Sequence, residues 1–136
     1  MDMMLCRSEK YVKGKAEMVA SGAKSYLFTI KGKEVVCFKG NKQSIGGEMR
    51  NEMLTFDQKV FQLSSSSKVI LLTEGWIDNA NSNRKRYGLK RFREAIKANI
   101  DQTLNDLKSG LQEDMIRFQG ENEEQRDDIT LLGVEL

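Results

Sequence analysis

The sequence contains no histidine. Ser-His and Cys-His nucleophile pairs and the usual zinc sites are therefore excluded, and any chemistry falls to carboxylates, lysines or hard metal ions. Two aspartates, Asp127 and Asp128, stand side by side just before the closing apolar run "ITLLGVEL". Glu74 ends a second apolar run, "KVILLT", and is followed at once by Gly75. Should these runs pair as antiparallel strands, the end of one lies beside the start of the other, and Glu74 meets the aspartates at one sheet edge. Convergent carboxylates either shift a pKa or take up a cation, and oxygen-only ligation suits Mg²⁺ or Mn²⁺. Spacing alone leaves a plainer alternative open, in which Asp127 or Asp128 caps a turn and Glu74 faces solvent.

Those positions need a frame. "DMMLCRSE", "GKAEMVASG", "KSYLFTIKG" and "KEVVCFKG" are short runs rich in strand formers, punctuated by Gly14, Gly22, Gly32 and Gly40. They read as an antiparallel meander, with a hairpin turning at Lys31-Gly32-Lys33. After a tight loop at Gly46-Gly47, "EMLTFDQKVFQL" offers Leu54, Phe56, Val60, Phe61 and Leu63 as inward positions. "SSSS" at 64–67 is a polar turn, and "KVILLTEG" is a strand apolar enough to be covered on both faces.

Helical spacing follows. Leu89, Phe92, Ile96 and Ile100 recur every three or four residues, as do Leu104, Leu107, Leu111, Met115 and Phe118. The pattern predicts two helices jointed near Ala98–Thr103, or one bent helix, with Gly110 weakening the second stretch. "GENEEQRDD" reads as a loop that leads to the last strand. The expected fold class is α+β, an antiparallel β-sheet or sandwich with two helices packed on one face, in a single domain over 1–136.

Composition sets limits. Charged residues make up 31% and apolar residues 39% of the chain, which marks a soluble globular class. No apolar stretch is as long as a membrane span and "MDMMLCRSEK" has no signal-peptide core, so no membrane partner and a cytoplasmic location are expected. Cys6 and Cys37 lack metal-ligand spacing and read as small buried apolar residues. "RKRYGLKRFR" holds six basic residues in ten, but a net charge of +2 is too small for a dedicated nucleic-acid binder, so no nucleic acid is expected. "GGEM" at 46–49 is only superficially like a GGDEF turn.

The order of motifs resembles the PPM/PP2C-type protein phosphatases, in particular their bacterial SpoIIE-like branch. The likeness is carried by "SGAKSYLFTIKGKE", by "KQSIGG", by "KVILLTEGWIDNAN" in the place of a strand ending in Thr-Asp-Gly, by "RKRYGLKRFREAI", and by the closing "QRDDITLLGVEL". It runs over essentially the whole chain but covers only about the second half of such a domain. The resemblance implies that residues 1–136 are the C-terminal portion of a SpoIIE-like phosphatase domain, with the N-terminal metal-binding half absent. It implies metal ligands at Glu74 and Asp127, for Mn²⁺ or Mg²⁺ in a two-ion site that is incomplete here. Asp128, Gly75 and Asp78 would support the ligands or hold the turn.

The activity implied is metal-dependent dephosphorylation of phosphoserine or phosphothreonine in a signalling protein, of the anti-sigma-factor antagonist type, with Arg84, Lys85 and Arg86 attracting the phosphoprotein. Two departures weigh on it: Glu74 replaces the family's Asp, and nothing matches the family's Asp before a Gly-His-Gly turn. The competing expectation is a non-catalytic remnant acting as a binding or regulatory module. A missing half would leave sheet edges and an apolar face exposed, so the expected partners include that N-terminal half or a second copy of the chain in a homodimer.

Overall fold

The computed structural model describes residues 2–9, 13–46, 55–120 and 127–136. Seven strands, β1 (Met3–Ser8), β2 (Lys15–Ala23), β3 (Ser25–Lys31), β4 (Glu34–Lys39), β5 (Gln58–Ser64), β6 (Lys68–Thr73) and β7 (Leu131–Glu135), form two antiparallel sheets. One sheet has the order β1-β2-β5 and the other β4-β3-β6-β7. Three helices, α1 (Glu74–Asp78), α2 (Gly88–Ala98) and α3 (Leu104–Gln119), lie between β6 and β7 in the chain. The class is α+β, as the pattern predicts, and the two sheets pack face to face as a sandwich with the helices on one side.

The four-stranded sheet is the middle layer. Its helix-facing residues Tyr26, Phe28, Ile30, Ile70 and Leu72 pack with Phe92 and Ile96 of α2 and with Leu107, Leu111 and Met115 of α3. Its other face, through Leu27, Phe38 and Val69, packs on Ala16, Met18, Ala20, Phe61 and Leu63 of the three-stranded sheet. β6 therefore serves both cores, which accounts for its nearly unbroken apolar run. The buried Lys68 at its start donates from Nζ to the carbonyl oxygens of Ile100 and Gln102, tying the strand to the joint between α2 and α3.

Three features depart from the sequence reading. The meander is broken, because β2 and β3 are consecutive in the chain yet belong to different sheets. β3 is buried along Ser25–Ile30 and takes β4 and β6 as its two neighbours, so no edge is left for β2, which pairs with β1 and β5. The crossing between sheets uses Lys24 at φ +46°, whose amide donates to Asn41 O (2.9 Å). In β5, Val60 is 54% exposed and lies opposite Val19, whereas Phe61 and Leu63 turn inward. Leu54 and Gly47, also singled out in the sequence, lie outside the described residues. Finally, a short helix, α1, begins where the strand was expected to continue.

Other expectations hold. The β3–β4 hairpin turns at Gly32-Lys33, and Gly32 takes φ +56°, which costs glycine nothing. The helices are two rather than one bent helix: Thr103 caps α3, its Oγ1 accepting from Asp106 N–H at 3.2 Å. Gly110 is required by close packing, since a methyl there would overlap the side-chain amide of Asn99 at the end of α2.

Candidate functional site

β6 ends at Thr73, and Thr73 fastens the segment that carries Asp127 and Asp128 beside the start of α1, where Glu74 lies. Its amide donates to Thr130 O (3.2 Å), its hydroxyl donates to Asp128 O (3.4 Å), and the Thr130 amide donates back to Thr73 Oγ1 (3.1 Å). These bonds carry the β6–β7 pairing one step past Leu72↔Leu131 and hold the 128–130 segment against the start of α1. Gly75 sits directly beneath that segment. A methyl on it would overlap the carbonyl oxygen of Asp128 and lie 3.6 Å from Asp127 Cβ. The backbone at 74–75 and the backbone at 127–128 are thus in contact, across more than fifty residues of chain.

Two corrections of detail accompany this. Glu74 opens α1 rather than closing β6, and Asp127 and Asp128 lie in the approach to β7, which begins at Leu131. The turn-forming side chain is Asp127, whose Oδ1 accepts from Asp128 N–H at 2.8 Å. Asp128 contributes its carbonyl to the Thr73 contact. The physical cause is shared: Thr73 supplies its side chain as well as its backbone, so regular pairing gives way to a tighter, hydroxyl-bridged junction.

Charged groups border the junction on the β4 side. Lys39 lies across from Tyr26 on the next strand, its Nζ 5.1 Å from the ring centroid. The Tyr26 hydroxyl, and beyond it the carboxylates of Glu74 and Asp78, push the Lys39 ammonium to a higher pKa than usual. Asp78, at the end of α1, accepts from Arg86 Nη1 at 3.1 Å, an exposed ion pair. Arg84, Lys85 and Arg86 occupy the loop between α1 and α2. Asn81 folds this loop by accepting from the amides of Asn83 and Lys85, and Arg84 takes φ +58°. The basic triplet therefore lies on the loop that follows α1, with Arg86 tied back to the end of that helix through Asp78.

The donor set bears on the metal expected from the sequence. Oxygen donors at Glu74 and Asp127 have the right chemistry for Mg²⁺ or Mn²⁺. Among the described residues, however, no group of three or more His, Cys, Asp or Glu side chains is gathered closely enough to hold a metal ion. These residues alone do not fit a complete centre.

Sequence reasoning passed over two contributors. Thr73 was only the residue before Glu74, although its β-branched hydroxyl at a strand end was a legible signal. The second is a clasp between α2 and α3: Asp114 accepts from Tyr87 OH (2.5 Å), Arg91 Nε (2.9 Å) and Arg91 Nη2 (2.9 Å). Burial pushes the Tyr87 phenol far up, and the bond to Asp114 adds to the shift. Burial would raise the Asp114 carboxyl too, but Arg91 and Tyr87 outweigh it and hold the group below the ordinary range.

Comparisons with known proteins bear on the family and the fold. A family model described as Stage II sporulation protein E (SpoIIE) matches residues 3–136. Among solved structures, the SiaA-PP2C domain of Pseudomonas aeruginosa superposes with a TM-score of 0.74 at 27% identity, covering 88% of this chain and 46% of that one. The phosphatase domain of the cell fate determinant SpoIIE from Bacillus subtilis gives a TM-score of 0.62 at 16% identity, covering 97% of this chain and 57% of that one. A Mn-presoaked form of it matches equally, with a TM-score of 0.62. The Mycobacterium tuberculosis serine/threonine phosphatase PstP/Ppp gives 0.55 at 11% identity, covering 93% of this chain and 57% of that one. The last three likenesses speak to the fold alone. The chain spans about half the length of these structures. No curated protein matches it. No helix among the described residues is long and apolar enough to cross a membrane.

Proposed function

We propose a function from one premise: this chain belongs to the SpoIIE family of PP2C-type phosphatase domains. Its proposed role is to supply one side of a metal-dependent phosphatase site that removes phosphate from phosphoserine or phosphothreonine in a signalling protein. Glu74 and Asp127 would be its contribution of metal-binding carboxylates, for Mn²⁺ or Mg²⁺, and the remaining ligands would come from the part of the domain that the chain does not span. The observation that carries this reading is the contact of Gly75 with the Asp127–Asp128 backbone, which brings two acidic positions from opposite ends of the helical segment to one edge. The basic loop at Arg84, Lys85 and Arg86 supports a phosphorylated partner of the anti-sigma-factor antagonist type, because guanidinium groups match phosphate oxygens in charge and shape.

A second reading draws on a specific observation. Among the described residues no group of three or more metal-ligating side chains gathers, and this favours a binding or regulatory module. Hydrolysis of p-nitrophenyl phosphate, measured with and without Mn²⁺, separates the two. The phosphatase reading expects no turnover by the chain alone. It expects Mn²⁺-dependent turnover when the missing part of a SpoIIE-type domain is supplied, and loss of that turnover in Asp127→Ala. No turnover in either mixture leaves the binding module as the correct reading, and turnover that survives Asp127→Ala removes Asp127 from the site.

A further inference from the structure

At the end opposite β7, the four-stranded sheet has an open edge. Among the described residues β4 is its outermost strand there and bonds to β3 alone. Gly40 N–H donates to Ser25 O (2.9 Å), in register with the pair Tyr26↔Lys39. Hydrogen-bonded positions alternate in an antiparallel ladder, so Phe38 and Val36 also bond to β3, and the backbone groups of Val35, Cys37 and Lys39 point to the open edge. Side chains alternate as well. Val35 and Cys37 pack with the helix-side core, and Val36 and Phe38 pack between the sheets. On that flank a cavity of about 200 Å³ lies between the sheets, with Val36, Phe61 and Leu63 among its walls.

Cations from α2, β4 and β5 gather along this edge. Burial pushes the Cys37 thiol up, and the Arg93 guanidinium beside it, with Lys59 and Lys39, pulls the other way. Lys59 belongs to β5 and sits 5.5 Å from the Phe61 ring centroid, and Phe61 meets Phe38 of β4 edge-on. Lys90 and Lys97 share the Arg93 side of α2, where a cleft of about 270 Å³ runs past Leu89 and Glu94. No ion pair among the described residues takes up Lys39, Lys59, Lys90, Arg93 or Lys97. The whole chain has a net charge of only +2, so this is a local concentration of charge. Cations along a strand edge repel a second copy of the same edge and favour an acidic one.

We infer that β4 is the docking edge for an extended acidic segment of a partner protein, which adds to the sheet as a strand. Its backbone pairs with Val35, Cys37 and Lys39, and its carboxylates, on the helix side, face Arg93, Lys90 and Lys97. Its alternate, apolar residues turn toward the space between the sheets. The open backbone decides the class of partner. An extended peptide supplies amides and carbonyls at the spacing of the ladder, whereas a phosphate backbone has no N–H to donate. An anionic membrane would need exposed apolar anchors beside the cations, and Leu89, the apolar residue of the cleft, is half-buried. Docking here makes no use of the carboxylate junction and is compatible with a phosphatase and with a binding module alike.

Titration of the whole chain with a short synthetic peptide of alternating glutamate and valine tests this, with hydrogen exchange as the local readout. Bound peptide should slow exchange at the amides of Val35, Cys37 and Lys39 by about tenfold or more, and binding should weaken as salt rises. Arg93→Glu should weaken it by about tenfold. Lys97→Glu, exposed on α2, should do the same and carries the test if Arg93→Glu lowers the urea midpoint. Lys108→Glu changes the net charge equally but lies on α3 beside β7, and should bind like the parent. The same peptide N-methylated at its glutamates keeps every charge, loses the amides that face β4, and should not bind. No binding of the parent peptide at about 1 mM, equal binding of the N-methylated one, protection elsewhere, or indifference to both α2 reversals would overturn strand docking. Binding of oligothymidylate in place of the peptide would also overturn it, by making nucleic acid the occupant.

Discussion

Asp114 and Asp127 are both held in defined places, by opposite means. Asp114 is fixed through its side chain: a phenol and a guanidinium converge on its two oxygens and hold its carboxyl below the ordinary range. The Asp127 segment is fixed chiefly through its backbone, by the fit of Gly75 under Asp128 and by the threonine bridge at Thr73 and Thr130. In the first arrangement the carboxylate's bonding capacity is spent on architecture. In the second the Gly75 fit and the threonine bridge are made by main-chain and hydroxyl groups, to which the Asp127 carboxylate adds a bond from the Asp128 amide. An acidic residue positioned by its neighbours' backbone is better suited to serve a ligand, and that contrast separates a structural cluster from a candidate site.

The largest expected effect strikes the backbone fit. Gly75→Ala drives a methyl into the Asp128 carbonyl, and both sides are main chain, so neither yields cheaply. The expected loss is about 3 kcal/mol, the upper end for overpacking, read as a lowered midpoint in urea with an unchanged slope. A loss near zero would mean that the junction is loose and that the two acidic positions are not held together.

Next comes the clasp. Asp114→Ala strands a largely buried phenol and a guanidinium, with an expected loss of about 2 kcal/mol. The pH dependence has a definite sign. A carboxyl whose folded pKa is depressed contributes stability above its unfolded pKa, and that stability is lost as pH falls through the folded value. The parent protein should therefore lose stability on acidification below the ordinary Asp range, and Asp114→Asn should flatten that part of the profile. An unchanged profile in Asp114→Asn would show that other carboxylates govern acid unfolding.

A smaller effect is expected at the threonine bridge. Thr73→Val keeps the β-branched shape and removes only the hydroxyl, which accepts from the Thr130 amide and donates to Asp128. The expected cost is about 1 kcal/mol, with faster exchange of the Thr130 amide as its local sign.

How much of this was legible in the sequence depended on which physical signal marked each residue. β6 was legible because burial on both faces leaves an unbroken apolar run, and the joint between α2 and α3 was legible because Leu104 restarts the helical period after Ile100. The approach of Gly75 to the 127–128 segment followed from pairing two apolar runs antiparallel. The split between β2 and β3 was not written in the turn residues. It is enforced by β3, whose two neighbours are both in the other sheet, and that is a tertiary fact. The roles of Asp127 and Asp128 in the turn were also hidden, since adjacent aspartates offer the same atoms and only the Thr73 hydroxyl distinguishes them. Arg91 and Asp114 sit on two helices and Tyr87 just before the first of them, and nothing in their spacing predicts that they meet.

The smallest expected effect on stability is the most informative about function. Glu74→Gln and Asp127→Asn preserve size and keep a side-chain oxygen, and Asn at 127 can still accept from the Asp128 amide in place of Oδ1. Neither position owes its location to its charge if the backbone fit does the holding. Both variants should unfold within about 0.5 kcal/mol of the parent, as substitutions away from structural networks do. Their divalent-metal response should nevertheless differ from the parent's once the rest of the domain is supplied: the parent's midpoint should rise with Mn²⁺ and theirs should not, because bound ligand stabilises only the state that binds it. A large loss of stability in either variant would put that residue in the same class as Asp114, and the distinction between the two acidic clusters would fall.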